Sequence, residues 1–390
     1  MVRYASLFSQ LIAFFNRNKF KNLVLKHRSE RYSKGFKSWD QFAAMMFCQV
    51  AQAKSLREIS GGLACCRGKL RHLGVTEAPK RSTLSYANKN RSWKLFRDLF
   101  YDTYDFCQKA SPSKHKFRFK NKLLSLDSTT ISLCLNLFPW AKFRRTKGAV
   151  KLHLLLDHDG YLPSYAYISD GRKHESQFAR KFPLAPGSIV TMDRGYTDYR
   201  LYAYWTAKEV FFVTRMKNDA NYEVIEKRKT PANRNIRSDE LIQFKGKIAR
   251  KDCPIPLRRI VVWDAENQRD LVLLSNHHDF GSSTISAIYK DRWQIELFFK
   301  AIKQNLRIKT FVGTTENALY IQIWTALIAM LLIKFFQLKS KFEWSLSNLV
   351  AFLRWNLFSY QDLWEWLDKP FDIAPEMPPP VQMELPLRGI

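Results

Sequence analysis

Acidic residues are scarce in this chain. Thirty-five Asp and Glu face 64 Lys and Arg over 390 residues, a net charge of +29. That imbalance favours a polyanionic partner, most simply nucleic acid. An anionic membrane is the competing polyanion, but its binders concentrate basic residues beside an apolar anchor, and here they are spread along the chain. Cysteines are few. Cys48, Cys65, Cys66, Cys107, Cys134 and Cys253 form no CxxC and no Cys/His ligand spacing, which speaks against structural zinc and reads as reduced thiols in or near a core. No Walker-type glycine loop suggests ATP use, and no internal repeat is present. Met1 to Phe15 lacks the basic start, unbroken apolar run and cleavage site of a secretory signal. The one long apolar run, Ala318 to Phe336, is interrupted by Gln322 and Lys334 and is barely long enough to span a bilayer. It reads as a buried core helix in a chain that is 46% hydrophobic and 14% aromatic, so no membrane partner and a cytoplasmic location are expected.

What is present begins with helices. The length suggests two or three domains. Residues 1 to about 108 carry apolar stripes at helical spacing (Leu7, Leu11, Phe14, Phe15, then Trp39, Phe42, Met46, Val50, Leu56) and no alternating strand pattern. Ser38 and Ser82 are expected N-caps. The helix after Ser82 exposes Lys80, Arg81, Lys89, Asn90 and Arg91, either a helix-turn-helix surface for DNA or the solvated basic face of an ordinary bundle. Residues 109–122, KASPSKHKFRFKNK, read as a basic linker crossing phosphate backbone.

Composition then changes to strands. LLSLDSTTISL from Leu123 alternates and is rich in Leu, Ile and Thr. Asp127 lies inside it; unless this is an edge strand, that carboxylate must be paired or metal-bound. KGAVKLHLLLDHDG and YLPSYAYISDG form a hairpin whose Asp157 and Asp159 read as turn chemistry. A short helix from Glu175 to Phe182 follows. Ile189 to Met192 is a strand that ends at Asp193, placing a second carboxylate at the edge where ligands gather in open α/β sheets. Residues 221–280 add further strand-like runs, LIQFKGKI, RRIVVWDA and RDLVLLS, so they read as a β-rich insertion.

The stretch Ile288 to Lys309, IYKDRWQIELFFKAIKQNLRIK, is amphipathic. On a helix Tyr289, Arg292, Glu296 and Lys303 fall within roughly 60° of one another, while Ile288, Ile295, Phe298, Phe299, Ile302 and Leu306 face a core. A solvated face of that kind gains little, since like charges three or four residues apart repel. Tyr, two residues, Arg, three residues, Glu, six residues, Lys resembles the signature of the DDE transposases of bacterial insertion sequences, specifically the insertion-sequence-four family. Asp127 in LDST and Asp193 in DRGY resemble that family's first and second acid motifs.

This resemblance implies an α/β fold with an RNase H-like catalytic core (residues 123–220) interrupted by the β-rich insertion (221–280). The helical DNA-binding region (1–108) and basic linker (109–122) precede it. The catalytic helix and carboxyl-terminal helices (281–370) and a proline-rich tail (371–390) follow. Asp127, Asp193 and Glu296 are then the catalytic, metal-binding acids for two Mg²⁺ ions, with Mn²⁺ expected to substitute. Tyr289, Arg292, Lys303, Lys300 and Arg194, with Arg81, Lys89 and Arg91, are expected DNA contacts. Trp263 either stacks on a displaced base, as the resemblance implies for the insertion, or packs in the core. The implied partners are terminal inverted repeats and target DNA, bound by a homodimer associated with the nucleoid. The implied activity is DNA cleavage and joining of 3′-hydroxyl ends. A transposase-derived DNA-binding protein that no longer cuts, or a metal-dependent nuclease without strand transfer, would share these motifs.

Overall fold

The computed structural model describes residues 5–31, 33–66, 68–111, 116–144, 147–170, 176–232, 235–308 and 310–372. Six α-helices open the chain: α1 (Leu7–Ala13), α2 (Arg17–Lys26), α3 (Ser38–Val50), α4 (Leu56–Cys65), α5 (Arg81–Asn90) and α6 (Lys94–Ala110). Short polar side chains start several of them. Ser6 accepts from Ser9 N–H, Asn16 from the N–H groups of Asn18 and Lys19, and Ser55 from that of Glu58, satisfying donors that have no partner within the helix. The two expected caps shift. At α3 the Glu30 carboxylate takes the Ser38 N–H at 2.7 Å, so the helix starts at Ser38 itself. The second, α5, starts at Arg81 with no side-chain cap and holds Ser82 in its first turn. The stripe from Trp39 to Leu56 is likewise two helices, parted where Gln52 takes a left-handed φ of 57°, a conformation that ends a right-handed helix.

An ion cluster ties α2 to α6. Asp98 meets Lys26 at 2.7 Å, His27 at 2.8 Å and Arg97 at 2.8 Å. Burial opposes its charge, yet these donors hold its carboxyl at about 2 against an ordinary 3.8. A depressed carboxyl stabilises the fold fully above the unfolded value and loses that contribution as pH falls through the folded one. Asp98→Asn should therefore lower the melting temperature at pH 6, and its deficit against the unsubstituted protein should shrink between about pH 4 and pH 2. A deficit that stays constant across that window would remove the ion cluster as its cause.

Ten strands follow: β1 (Leu123–Leu133), β2 (Lys142–Arg144), β3 (Lys147–Asp157), β4 (Leu162–Asp170), β5 (Ile189–Met192), β6 (Phe211–Arg215), β7 (Tyr222–Lys227), β8 (Ile236–Phe244), β9 (Leu257–Asp264) and β10 (Arg269–Ser275). They form one sheet in the order β2-β3-β1-β5-β6-β10-β9-β8-β7, with β4 on β3. Interspersed are α7 (Ser176–Ala179), α8 (Tyr199–Ala207) and α9 (Lys247–Asp252); residues 171–175, where the first of these was expected to begin, lie outside the described residues. Strands β1, β5 and β6 run parallel, and β3 is antiparallel to β1. The expected strands of residues 221–280 are β8, β9 and β10, joined by β7. They do not stand apart from the sheet but extend it, because β10 pairs antiparallel with β6.

Alternation sorts the sheet's two faces. Leu123, Ile189 and Val213 lie in a cluster with Ile285, Ile288 and Tyr289, whereas Leu124, Leu126, Val190, Met192 and Phe212 join Leu201, Tyr202 and Trp205 of α8. The described part of the expected linker also packs here, since Phe117 and Phe119 lie against the first cluster; residues 112–115 lie outside the described residues.

Five helices complete the chain: α10 (Ser282–Asp291), α11 (Trp293–Asn305), α12 (Glu316–Lys339), α13 (Leu346–Trp355) and α14 (Leu363–Asp368). Among the described residues α12 is the one helix long and apolar enough to cross a membrane, and 89% of its apolar window is buried inside the protein. Its side chains share one core with residues of α1 to α6, β3, β4, α11, α13 and α14. The polar residues of this core are spent on backbone. Gln322 donates to the carbonyls of Arg307 and Thr310 and accepts from Val312 N–H. Gln49 of α3 donates to the Gln322 carbonyl and accepts from Arg307 N–H. The proline-rich tail, apart from residues 371 and 372, lies outside the described residues, as does Lys309. All six cysteines are free thiols, with Cys48, Cys107 and Cys253 buried.

Candidate active site

Parallel pairing of β1 with β5 sets Leu126 beside Met192. One step further along each strand stand Asp127 and Asp193, neighbours at the same edge. Each carboxylate accepts a hydrogen bond at 2.7 Å from the next residue's N–H, that of Ser128 or Arg194. Asp193 leads into a 3₁₀ turn, Arg194–Tyr196, because Gly195 and the buried Tyr196 follow.

The third acid comes from α11. The expected single helix over 288–309 is two segments that abut at Arg292, whose backbone stays in the right-handed region (φ −52°, ψ −31°). Arg292 is the centre of the site. Its guanidinium donates to Glu296 at 2.7 Å and lies 3.9 Å from the Asp127 carboxylate. Its carbon lies 5.6 Å from the centre of the Tyr289 ring. Only 12% of the Arg292 side chain is exposed, against 17% for Asp127 and 34% for Glu296. Burial opposes the Arg292 charge, but the neighbouring Tyr289, Glu296 and Asp127 outweigh it and hold the group protonated above its ordinary value. Burial pushes the Tyr289 phenol up, as does the negative charge of Asp193, while Arg292 and Arg215 act in the opposite sense. Tyr289 thus stays a hydrogen-bond donor at neutral pH.

Lys303 donates to Thr129, two residues beyond Asp127 on β1. The stripe of Tyr289, Arg292, Glu296 and Lys303 therefore faces the strand that carries Asp127. Lys300 and Arg194 are exposed nearby in sequence.

The remaining expected contacts lie elsewhere. Trp263 sits near the end of β9, which runs in the same direction as β6; the pairings carry the level of Asp193 to Arg215, Leu273 and Ile260, so Trp263 stands beyond that level on a strand separated from β5 by β6 and β10. It is half-buried with the Arg237 guanidinium 4.2 Å from its ring centre and belongs to none of the apolar clusters. Arg81 and Lys89 are exposed on α5. Arg91 is not available to DNA as expected. It leaves the helix, and its half-buried guanidinium turns inward to donate to Gln41 of α3, Ser33 and the Phe36 carbonyl.

Sequence reasoning missed Arg215, whose charge reaches Tyr289, and Thr129. It also missed a buried chain behind the site, Ser125, His158 and Asp291. The position of Arg215 at the end of β6, at the edge of the acids, was the available signal.

Oxygen-only donors such as these three carboxylates suit a hard divalent cation. Among the described residues, however, no three His, Cys, Asp or Glu side chains are gathered closely enough to hold a metal as they stand. The Arg292 guanidinium provides the positive charge between Asp127 and Glu296. The donor chemistry fits Mg²⁺; the cage requires Arg292 to give way.

Residues 118–332 match the family described as the transposase DDE domain, and residues 3–76 match a domain of unknown function (DUF4372). The chain is 31% identical over 264 residues, 66% of its length and 71% of the relative's, to a protein of Sinorhizobium fredii named as transposase y4zB. It is 28% identical over 287 residues, 73% of its length and 74% of the relative's, to a Geobacillus stearothermophilus protein named as the transposase for insertion sequence element IS5377. A solved structure, that of a piggyBac transposase synaptic complex with hairpin DNA, aligns with a TM-score of 0.45 at 12% identity, covering 94% of this chain and 82% of that one.

Proposed function

The chain belongs to the DDE transposases of insertion sequences, and from that premise we propose that it binds the terminal inverted repeats of its element, cuts DNA there and joins the freed 3′-hydroxyl ends to target DNA. The observation that carries this reading is the meeting of Asp127 and Glu296 on one guanidinium, with Asp193 set beside Asp127 by the β1–β5 pairing. The sheet order β4-β3-β1-β5-β6, with three parallel strands and β3 antiparallel, supports an RNase H-like core. Residues 1–108 are then the DNA-recognition part and 221–280 an extension of the core, with the active protein a dimer that brings two element ends together.

Asp127, Asp193 and Glu296 would hold two Mg²⁺ ions. Bound there, the ions lower the pKa of the attacking water or hydroxyl and stabilise the leaving oxygen of an in-line phosphoryl transfer. The chain's own part is positioning. Arg292, released from Glu296, would donate to phosphate oxygens through its planar fork. Tyr289, kept protonated, would donate a hydrogen bond to a phosphate oxygen near the cut, and Lys303 and Lys300 would carry charge to the backbone beyond it. Arg194 extends that surface past Asp193, while Arg81 and Lys89 would meet phosphates on the recognition helices. Trp263, outside the apolar clusters, would stack on a base displaced from the duplex.

One observation favours a second reading, a DNA-binding protein of transposase descent that does not cut: Arg292 already compensates two of the three acids. Incubating the full-length protein with Mg²⁺ and a labelled terminal-repeat duplex distinguishes them. Joined products are expected. Cut ends without joining would reduce the protein to a nuclease, and binding alone would establish the second reading.

A further inference from the structure

Asp291 ends α10, one residue before the junction that bears Arg292. Its side chain is 1% exposed. It pairs with His158 Nδ1 at 2.6 Å, accepts from Tyr161 O–H at 3.1 Å and meets Lys116 Nζ at 2.5 Å. The other ring nitrogen of His158 lies 2.6 Å from Ser125 Oγ. Ser125 is fully buried on β1 and, two residues before Asp127, shares its face of the strand.

Serine, histidine and aspartate in this order have the connectivity of a hydrolytic triad. Here the hydroxyl is fully buried near the start of β1, so the chain of hydrogen bonds acts inward. It links β1, the β3–β4 turn and α10. These are the parts whose relative placement decides how far Asp127 stands from Arg292 and Glu296. The backbone stays in the right-handed region through Arg292, so a shift at the end of α10 is passed on to α11.

We propose that Ser125, His158 and Asp291 are positioning residues, a buried relay that sets the spacing between the strand bearing Asp127 and the helix bearing Glu296. The inference rests on the reading of those acids as a divalent-cation site. Groups that orient a metal site without touching the ion commonly alter its affinity by about 10- to 100-fold when removed.

Mn²⁺ binding to the full-length protein, followed by the loss of the free-ion electron paramagnetic resonance signal, tests this without requiring turnover. Asp291→Asn and His158→Ala should weaken Mn²⁺ binding about tenfold and raise the half-saturating Mg²⁺ for cleavage by a similar factor, with terminal-repeat binding unchanged. His158→Asn, which can still donate to Asp291 but no longer reaches Ser125, should give a smaller shift of about threefold, as should Ser125→Ala. A merely structural role would lower the melting temperature and leave the folded protein's ion affinity alone. Should Asp291→Asn fail to fold, the two milder variants decide the matter by the same titration. Folded variants with unaltered Mn²⁺ affinity would overturn the relay. If unsubstituted protein and Asp127→Ala bind Mn²⁺ equally poorly, the metal reading itself falls, and the relay with it.

Discussion

Changing Asp127, Asp193 or Glu296 to the corresponding amide, one at a time, is expected to cut Mg²⁺-dependent cleavage of a terminal-repeat duplex by about a thousandfold or more. That factor corresponds to about 4 kcal/mol of transition-state stabilisation, within the several kcal/mol that metal-ion charge stabilisation supplies. Amides keep the shape and much of the hydrogen bonding, so duplex affinity measured by gel shift should change less than about threefold, since phosphate contacts come mainly from Lys and Arg. Glu296→Gln carries an additional signature. It replaces the charged partner that Arg292 holds at 2.7 Å with a neutral acceptor, which weakens that pairing, so DNA binding should hold or tighten slightly as cleavage disappears. Parallel loss of binding and cleavage in all three variants would show that the acids hold the fold together, and would end their assignment to chemistry.

Arg258→Met should produce the largest loss of stability among single changes outside the site. The Arg258 and Asp239 side chains are 4% and 2% exposed. They pair through two bonds, Nε to Oδ1 at 2.9 Å and Nη2 to Oδ2 at 2.6 Å. Nη1 also donates to the carbonyls of His277, His278 and Phe280, the turn that leads into α10. Removing the cation strands a buried carboxylate, for which about 3–5 kcal/mol is the usual loss. Chemical denaturation reads it directly. Adding Asp239→Leu to Arg258→Met should recover part of that loss, because an apolar pair leaves no orphaned charge. A single-variant loss under about 1 kcal/mol would mean that the pair behaves as a surface bridge.

Part of the candidate site is legible in the sequence, for a physical reason. Asp127 interrupts an apolar strand and Asp193 ends one, and a carboxylate in either place needs a reason to be there. The stripe of α10 and α11 is legible because helix geometry converts spacing into direction. The junction at Arg292 is not legible, since both flanking segments continue the same periodicity. The direction of Arg91 is not legible, because helical spacing says nothing about a residue that has just left the helix; it is set by acceptors 50 to 58 residues away in sequence. His158 sits in a DHDG turn that reads as local chemistry, yet Asp157 also accepts from Tyr104 O–H at 2.9 Å and pairs with Lys122 at 3.2 Å, and the histidine's partner is Asp291. Nor does sequence reveal that the strands of 221–280 extend the sheet, because edge pairing between β6 and β10 is a tertiary fact.

The core around α12 has a consequence for how such proteins diversify. Stretches matched to two separate families, 3–76 and 118–332, lie on one continuous apolar interior, in which Gln49 from the first stretch fastens the backbone at Arg307 and Gln322 in the second. A foreign amino-terminal segment grafted onto residues 118–332 would meet a mismatched surface unless the complementary side of α12 travelled with it. Substitutions at outward-facing residues of either stretch leave that shared interior intact.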